Sequence, residues 1–256
     1  MIILENNNIG NYAKHARIWA IYGPDQTQEY EYWRKYAEKF GKNILLPMCA
    51  VGNVGAYMAK RGFNVTAFDI TPEMIAEGQK RYGNIQNLKY FNADIRDFSF
   101  DIAPVDFCFY TDFGHLHTIE DIKKALSCIN RHMREGGCLI IEEGLREANE
   151  ETTYYPPKKF DFGEVLPKVK VWKINTDKCN SDGKTGRWYC SQEVYIEENG
   201  VVEMFNHEFY IQSYYREEWT NALSECGFEI NGEYTDREGE SWKSGDGFWM
   251  AEAIKK

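Results

Sequence analysis

Asp69 is the residue of this 256-residue chain whose position most clearly suggests chemistry. It follows Asn64 to Phe68, a stretch with the pattern of a buried strand. A carboxylate at the carboxyl end of such a strand is placed to accept hydrogen bonds from the hydroxyls of a ribose. Asp94 follows the next such stretch, Leu88 to Asn92. Acids at successive strand ends predict a site for a nucleoside-containing cofactor.

A turn of small residues precedes this site along the chain. Residues 49–52 lie between an apolar strand, Ile44 to Pro47, and a helix that Gly52 and Gly55 open. Small side chains allow the backbone to approach a ligand closely, and Ala50 fits there if its φ is not positive. The spacing is G-x-x-G instead of the G-x-G-x-x-G of dinucleotide sites, so the turn alone leaves two cofactors open, a dinucleotide and S-adenosylmethionine.

Two histidines, His115 and His117, lie in the loop after the fourth predicted strand, where a substrate should meet the cofactor. In extended backbone they face the same side, so a metal site with Asp112 or His207 as a third ligand is one interpretation. We favour the other, in which no metal is bound and His115 accepts a proton from the substrate or hydrogen-bonds to it. His117 is then a solvated loop histidine.

Predicted strands and helices, which must position these groups, alternate along the chain. Five strands are predicted up to residue 144, and a helix with two more strands follows from Arg216. Between them, from Tyr154 to Tyr215, three stretches alternate as antiparallel strands, two of them separated by the tight hairpin signal ENG. This order predicts an α/β fold, a doubly wound seven-stranded mostly parallel sheet with an antiparallel β lid inserted after the fifth strand. The predicted domains are a helical cap (1–42), a cofactor-binding domain (43–144 and 216–256) and a lid or substrate lobe (145–215).

The ordered motifs CAVGNVG, AFDITPEM, NADIRDF, DFCFYTDFGHLHT and RHMREGGCLIIEE resemble those of class I S-adenosylmethionine-dependent methyltransferases. Over nearly the whole chain, the sequence is most similar to small-molecule enzymes such as amino-sugar N,N-dimethyltransferases and glycine N-methyltransferase-like proteins. The resemblance implies a Rossmann-like fold and S-adenosyl-L-methionine as the cofactor, with S-adenosyl-L-homocysteine as its product. The cofactor-binding residues that it implies are Cys49, Ala50, Gly52, Asp69, Ile70, Met74, Asp94, Ile95, Tyr110, Thr111 and Tyr30.

The resemblance also gives roles to members of this set. Asp69 would bind the ribose hydroxyls, and Asp94 would accept a hydrogen bond from the adenine amino group. Met74 would pack near the adenine with Ile95 beside the ring, and residues 110–111 would lie under the methionine part.

The chain departs from the family in the loop after the first strand. Where the family has an acidic residue and two further glycines, this chain has Leu46, Met48 and Ala50. The missing carboxylate normally helps to place the amino end of the cofactor, so the departures predict weaker cofactor binding with the fold retained. They also keep open a second function, a non-catalytic protein that binds S-adenosylmethionine or S-adenosylhomocysteine.

The implied reaction is in-line transfer of a methyl group from the sulfonium to a small-molecule acceptor, with an amine as the favoured acceptor. The resemblance places Tyr22 near the transferred methyl group, and Tyr22 and His115 are the predicted catalytic residues. Aromatic candidates for the substrate pocket come from the lid and are Trp172, Trp188, Tyr195, Phe209 and Tyr210. A dinucleotide-dependent oxidoreductase is a third, less favoured function, because the glycine pattern is incomplete.

The composition restricts the kinds of substrate and cellular location that the chain can have. With 30 basic against 40 acidic residues the net charge is -10, which disfavours a nucleic-acid substrate. No stretch has the length of a membrane span, and the polar N-terminus lacks the basic region of a signal peptide. The seven cysteines are scattered and form no CxxC pair, as is typical of reduced thiols. We therefore expect a cytoplasmic enzyme, monomeric or homodimeric, that acts on a small molecule.

Overall fold

The computed structural model describes residues 12–19, 26–109, 112–146, 153–154, 156–175, 180–182 and 185–256. The helices are α1 (Tyr12–Trp19), α2 (Thr27–Ala37), α3 (Asn53–Ala59), α4 (Pro72–Tyr82), α5 (Ile119–His132) and α6 (Arg216–Glu225), with a 3-10 turn at Phe113–His115. The strands are β1 (Asn43–Leu46), β2 (Asn64–Asp69), β3 (Leu88–Asn92), β4 (Val105–Cys108), β5 (Met133–Gly144), β6 (Thr153–Tyr154), β7 (Lys158–Leu166), β8 (Val169–Asn175), β9 (Asn180–Asp182), β10 (Arg187–Glu198), β11 (Val201–Gln212), β12 (Phe228–Tyr234) and β13 (Phe248–Lys255).

The first sheet has seven strands in the order β12-β13-β5-β4-β1-β2-β3. Strands β1 to β5 run parallel, and β13 runs antiparallel between β5 and β12. The order of strand addition reverses between β1 and β4, and ligands of such sheets bind outside the carboxyl ends at this switch point. The predicted α/β class and the mostly parallel seven-stranded sheet are confirmed.

Helices cover both faces of this sheet, so its central strands are apolar on both sides. In β1, Ile44 and Leu46 belong to one buried layer and Leu45 to the other. The first layer includes Trp33 of α2, and the second includes Trp219 of α6. The aromatic N-terminal segment is therefore partly core, since α2 packs against the sheet itself.

The second sheet is antiparallel and is inserted between β5 and α6. Its longest strands, β10 and β11, are joined by Asn199 and Gly200, whose φ values of 52° and 82° are both positive. Two positive φ values are what a type I′ hairpin turn requires. The lid and the ENG hairpin predicted from the sequence are thus observed.

The lid has a buried face that meets α1. Ile18 of α1 is fully buried against this face, whose core members are Val169, Val171, Val194, Ile196 and Phe205. The edge strand β7 was not predicted. Its side chains are mostly exposed and its pairing with β8 shifts register near Gly163, so the alternation that signals a strand is weak.

Candidate active site

The turn after β1 has three residues in the left-handed conformation. Met48, Ala50 and Gly52 have φ values of 53°, 49° and 76°. The condition under which Ala50 was expected to fit, a φ that is not positive, is therefore not met. A residue with a side chain costs roughly 1–2 kcal/mol in this region, so the turn must be held by contacts that outweigh its local preference.

Asp69 provides two of these contacts. Its carboxylate accepts a hydrogen bond from the Ala50 amide at 2.9 Å and another from the Thr71 amide at 2.8 Å. Burial raises the pKa of Asp69, and the amide hydrogen bonds and the charge of His115 oppose this only in part. The Thr71 side chain is a further hydrogen-bond partner, so of the about four acceptor positions of the carboxylate one remains for a ribose hydroxyl. Its place at the end of β2 agrees with the prediction, while its role in cofactor binding stays a prediction.

Tyr90 of β3 supports the same turn, and the sequence did not single it out. Its hydroxyl donates to the Val51 carbonyl at 3.0 Å. A Cβ on Gly52 would lie 2.8 Å from Tyr90 Cε1, and one on Gly78 would lie 2.7 Å from the Val51 carbonyl oxygen. Both glycines are therefore needed for close packing around the tyrosine. No motif signals this role, because tyrosine is common in strands.

Helix α1 covers the turn and connects it to the lid. Ala16 is buried with Val51 and Met74, and the Arg81 guanidinium donates to the Arg17 carbonyl at 2.8 Å. The prediction that Met74 packs near an adenine therefore concerns a side chain that this helix already buries.

His115 lies in the 3-10 turn between β4 and α5 and is largely buried. Its Nε2 is 3.2 Å from the Tyr12 hydroxyl and 3.4 Å from Asp112 Oδ2. Burial lowers the pKa of His115, but hydrogen bonding to Asp112 and the charges of Asp112 and Asp69 outweigh burial, so the pKa lies above its ordinary value. An imidazole held between a tyrosine and a carboxylate can exchange a proton near neutral pH.

Two rings of the lid complete this arrangement. On β11, the His207 ring centroid lies 4.6 Å from the Tyr12 ring and 4.9 Å from the Phe209 ring. The Phe209 ring in turn lies 5.7 Å from the His115 ring. Burial and the nearby charges of His115 and Lys173 lower the pKa of His207 to about 4, so this imidazole is neutral at pH 7. We call Tyr12, His115, His207 and Phe209 the aromatic cluster. No sequence pattern singled out Tyr12, and His207 entered only as a metal ligand.

Phe209 and Trp188 lie on the face of the lid that meets α1. In the register of β10 and β11, Phe209 is opposite Cys190 and Trp188 is opposite Ile211. A Cβ on Gly114 would collide with Ile211, so this end of the lid rests on the 3-10 turn. Of the predicted substrate aromatics, Phe209 contacts His115 directly.

The other predicted substrate aromatics lie on the opposite face of the lid. Trp172 stacks on Tyr195 with ring centroids 5.2 Å apart, and Tyr210 packs against Tyr189 at 4.8 Å. Because side chains alternate along a strand, these rings are directed away from the buried valines. The structure does not bring Trp172, Tyr195 and Tyr210 to His115.

Asp94 has a cationic partner within the chain. Its Oδ2 accepts from Arg96 Nη2 at 2.6 Å and its Oδ1 from Arg96 Nε at 3.0 Å. Burial alone would raise the pKa of Asp94, but the hydrogen bonds and the charge of Arg96 bring it below its ordinary value. An adenine amino group would have to share this carboxylate with Arg96. Ile95 beside it is buried in the core.

The remaining predicted cofactor residues are spread around the turn and α2. Cys49 is buried, its thiol donates to the Ala50 carbonyl at 3.4 Å, and burial raises its pKa. Ile70 is 40% exposed after the end of β2. Tyr30 donates to the Gln26 side chain at 2.9 Å and packs on Tyr57 of α3 with ring centroids 5.6 Å apart. Outside the described residues lie Tyr22, Tyr110 and Thr111.

His117 is separated from His115 in its contacts. Its Nε2 is 3.2 Å from the Tyr210 carbonyl oxygen, and burial together with the charge of Arg187 lowers its pKa. It is thus a half-buried histidine of the lid contact, not the solvated residue that the sequence suggested. Within the described ranges, no group of three or more His, Cys, Asp or Glu side chains is arranged to hold a metal ion.

The comparison with known families concerns the segment that carries the turn, Asp69 and the 3-10 turn. Residues 44–137 match a family model described as a methyltransferase domain. Two similar solved structures, CalS10 from Micromonospora echinaspora and the glycopeptide N-methyltransferase MtfA, contain S-adenosylmethionine. The family model and these structures agree with the predicted enzyme class and cofactor.

Curated relatives match only part of the chain. A demethylmenaquinone methyltransferase from Chlorobaculum tepidum is 30% identical over 152 residues, which cover 54% of this chain and 58% of the relative. The chain therefore spans little more than half the length of that relative. Bacillus subtilis YqeM, named as a methyltransferase, is 22% identical over 221 residues and is matched over 85% of its length.

Solved structures match the seven-stranded sheet and the lid together. A S-adenosylmethionine-dependent methyltransferase from Clostridium acetobutylicum has a TM-score of 0.71 at 13% identity, covering 94% of this chain and 96% of that one. The sugar N-methyltransferase KedS8 from Streptoalloteichus also has a TM-score of 0.71, at 15% identity, covering 91% of this chain and 89% of that one. At these identities the likeness is one of fold. Among the described residues, no helix is long and apolar enough to cross a membrane.

Proposed function

We propose that the chain transfers a methyl group from S-adenosylmethionine to a small molecule, with an amine nitrogen as the acceptor. The observation that carries the proposal is the aromatic cluster. It brings α1, the 3-10 turn and the lid together beside the carboxyl ends of β1, β2 and β4, where ligands of such sheets bind.

The described residues fit the cofactor best at its nucleoside end. Asp69 would hold the ribose through its remaining acceptor position, and Gly52 leaves the turn without a side chain above Tyr90. When bound, the cofactor supplies an electrophilic methyl group on a sulfonium. At position 46 the family's carboxylate is replaced by a leucine that is buried in the apolar layer, so the amino end must find its partner elsewhere.

The residues of the chain then have three tasks. His115 accepts a proton from the acceptor amine, or keeps the amine neutral, because only a neutral amine has a free electron pair. Tyr12 orients the His115 imidazole through Nε2. Phe209 and His207 exclude water from the acceptor, His207 as a neutral ring.

A nitrogen acceptor is supported by the solved structures that are named as N-methyltransferases. Two curated relatives are instead named for demethylmenaquinone, which is not an amine. The aromatic cluster favours the first group, because two imidazoles and a phenol provide hydrogen-bonding groups that suit a polar acceptor. The sugar-like or peptide-like nature of the acceptor is a further part of the proposal.

The test combines a titration with a screen. Calorimetry with S-adenosylhomocysteine and NAD should give binding of the first alone, and a panel of amines with methyl-labelled S-adenosylmethionine should yield a methylated product. Binding of NAD alone would return the oxidoreductase alternative, which the family match disfavours.

A second candidate function is non-catalytic binding of the same cofactor. The contact between Asp94 and Arg96 favours it, because the carboxylate expected at the adenine is already paired. Binding of S-adenosylhomocysteine without any methylated product across amines, phenols and quinones would support this candidate.

A further inference from the structure

Glu143 lies near the carboxyl end of β5 with its carboxyl group buried. In the part of the chain that the structure describes, its Oε1 has no hydrogen-bond partner. Burial, followed by the charge of Asp112, raises the pKa of Glu143 well above its ordinary value, so the group is held as the neutral acid. An unpaired buried oxygen costs stability that an apolar side chain would not. The carboxyl group therefore needs a task that offsets this cost.

The task is a hydrogen bond to the 3-10 turn. The carboxyl group of Glu143 accepts from the amide of Phe113, the first residue of that turn, where an amide has no acceptor within the turn itself. Side chains alternate along β5, so Glu143 is directed to the buried layer of Leu139 and Ile141. The Phe113 ring is buried in the same layer, with its centroid 5.5 Å from that of Trp219. The carboxyl group and the buried ring thus hold the turn from the side of the sheet.

The backbone at Phe113 decides how close Asp112 comes to His115, because these two residues lie on either side of it. Asp112 Oδ2 is 3.4 Å from His115 Nε2. Burial lowers the pKa of His115, whereas the hydrogen bond to Asp112 and the charges of Asp112 and Asp69 raise it above its ordinary value. A shift of the Phe113 backbone would therefore change the proton affinity of the imidazole.

We infer that Glu143 is a positioning residue for His115: its carboxyl group fixes the backbone at Phe113, and this keeps Asp112 against the imidazole. As a neutral acid, it holds the turn without placing a second negative charge beside Asp112. The inference deepens the proposed function and rests on it for the reaction that His115 serves. The charged and titratable groups that face Glu143 or His115 are Asp112, Glu142, Tyr214, Asp69, Tyr12, His117 and His207.

The test is the pKa of His115, measured from the NMR signals of the histidine side chains without cofactor or substrate. Glu143→Leu removes the acceptor of the Phe113 amide and should lower this pKa, in the same direction as Asp112→Asn. Glu143→Gln keeps a neutral acceptor and should retain the wild-type value. Because Glu143 is uncharged, a change in Glu143→Leu reports a change of position and not the loss of a charge.

The matched control is Glu135→Leu, which makes the same replacement at an exposed position near the amino end of β5 and should leave the pKa of His115 unchanged. The signal of His115 is identified by its loss in His115→Asn.

An unchanged pKa of His115 in Glu143→Leu or in Asp112→Asn would overturn the inference. Equal shifts in Glu143→Gln and Glu143→Leu would also overturn it, because the glutamine keeps the acceptor. Should Glu143→Leu fail to fold, deuterium exchange of the Phe113 amide decides. Slow exchange in both wild type and Glu143→Gln supports the hydrogen bond, and fast exchange in wild type overturns it. Failure of the proposed function would instead appear as S-adenosylhomocysteine binding without methyl transfer, which leaves the pKa measurement unaffected.

Discussion

Replacing Asp69 with alanine separates the two tasks of this carboxylate. The change removes the acceptor of the Ala50 and Thr71 amides, which lie 2.9 and 2.8 Å from it. An unsatisfied buried donor costs about 1–3 kcal/mol, and relief from burying a carboxylate offsets part of the loss. We expect a net loss of about 2 kcal/mol in unfolding free energy, or a melting temperature lower by roughly 4–8 °C for a chain of this size.

The same substitution should weaken the cofactor more than it weakens the fold. Loss of a charged acceptor for the ribose should lower affinity for S-adenosylhomocysteine by at least about tenfold. The assays are calorimetry and thermal melting at pH 7.5, with Asp97→Ala as a control because Asp97 is exposed in the segment after β3. Unchanged affinity in Asp69→Ala would refute the assignment of the ribose to this side chain.

The pH dependence of stability gives a second readout for Asp69. Its pKa is raised in the folded protein, so the folded state binds more protons than the unfolded state between the ordinary value of 3.8 and the raised one. The unfolding free energy of wild type should therefore fall as pH rises through that interval. In Asp69→Ala this contribution should be absent.

Three further predictions test the turn and the aromatic cluster. The pKa of His115 is raised, so its protonated form stabilises the fold below pH 6.5, and this stabilisation is lost as pH rises through the folded pKa. The melting temperature of His115→Asn, measured between pH 5.5 and 8.5, should lack that loss. Identical pH curves for His115→Asn and wild type would contradict the prediction. Ala50→Gly relieves a φ of 49° and should raise the unfolding free energy by up to about 1 kcal/mol in denaturant titrations, whereas Ala56→Gly inside α3 should lower it by a similar amount; a loss in Ala50→Gly would show that the turn is not strained. Tyr90→Phe removes one hydrogen bond to Val51 and should lower stability by about 1 kcal/mol while weakening cofactor binding, and unchanged affinity would make the tyrosine purely structural.

The sheet could be predicted from the sequence because its signals are local. An apolar strand, a proline at the start of a helix and a glycine after its end can each be recognised from a few neighbouring residues. The structure has α4 beginning at Pro72 and α6 ending shortly before Gly227. The ENG hairpin has the same origin. The exposed edge strand β7 has no such signal, since neither face of it is consistently buried.

The site was predictable only where its residues sit at strand ends. Asp69 ends β2 and His115 lies in the loop after β4, so the topology brings them to one edge of the sheet. Tyr12 and His207 reach His115 across 103 and 92 residues of sequence, through the packing of α1 and the lid. Periodicity carries no information on such contacts. Asp94 was predicted from its place after a strand, but its pairing with Arg96 was not, because that pairing depends on side-chain geometry.

The most direct test of the account is a crystal structure of the chain with S-adenosylhomocysteine. We predict ribose hydroxyls within hydrogen-bonding distance of Asp69 and the sulfur directed toward His115, Tyr12 and Phe209. A nucleoside bound away from Asp69, or a sulfur directed away from the aromatic cluster, would contradict both the assigned cofactor site and the proposed methyl transfer at this edge of the sheet.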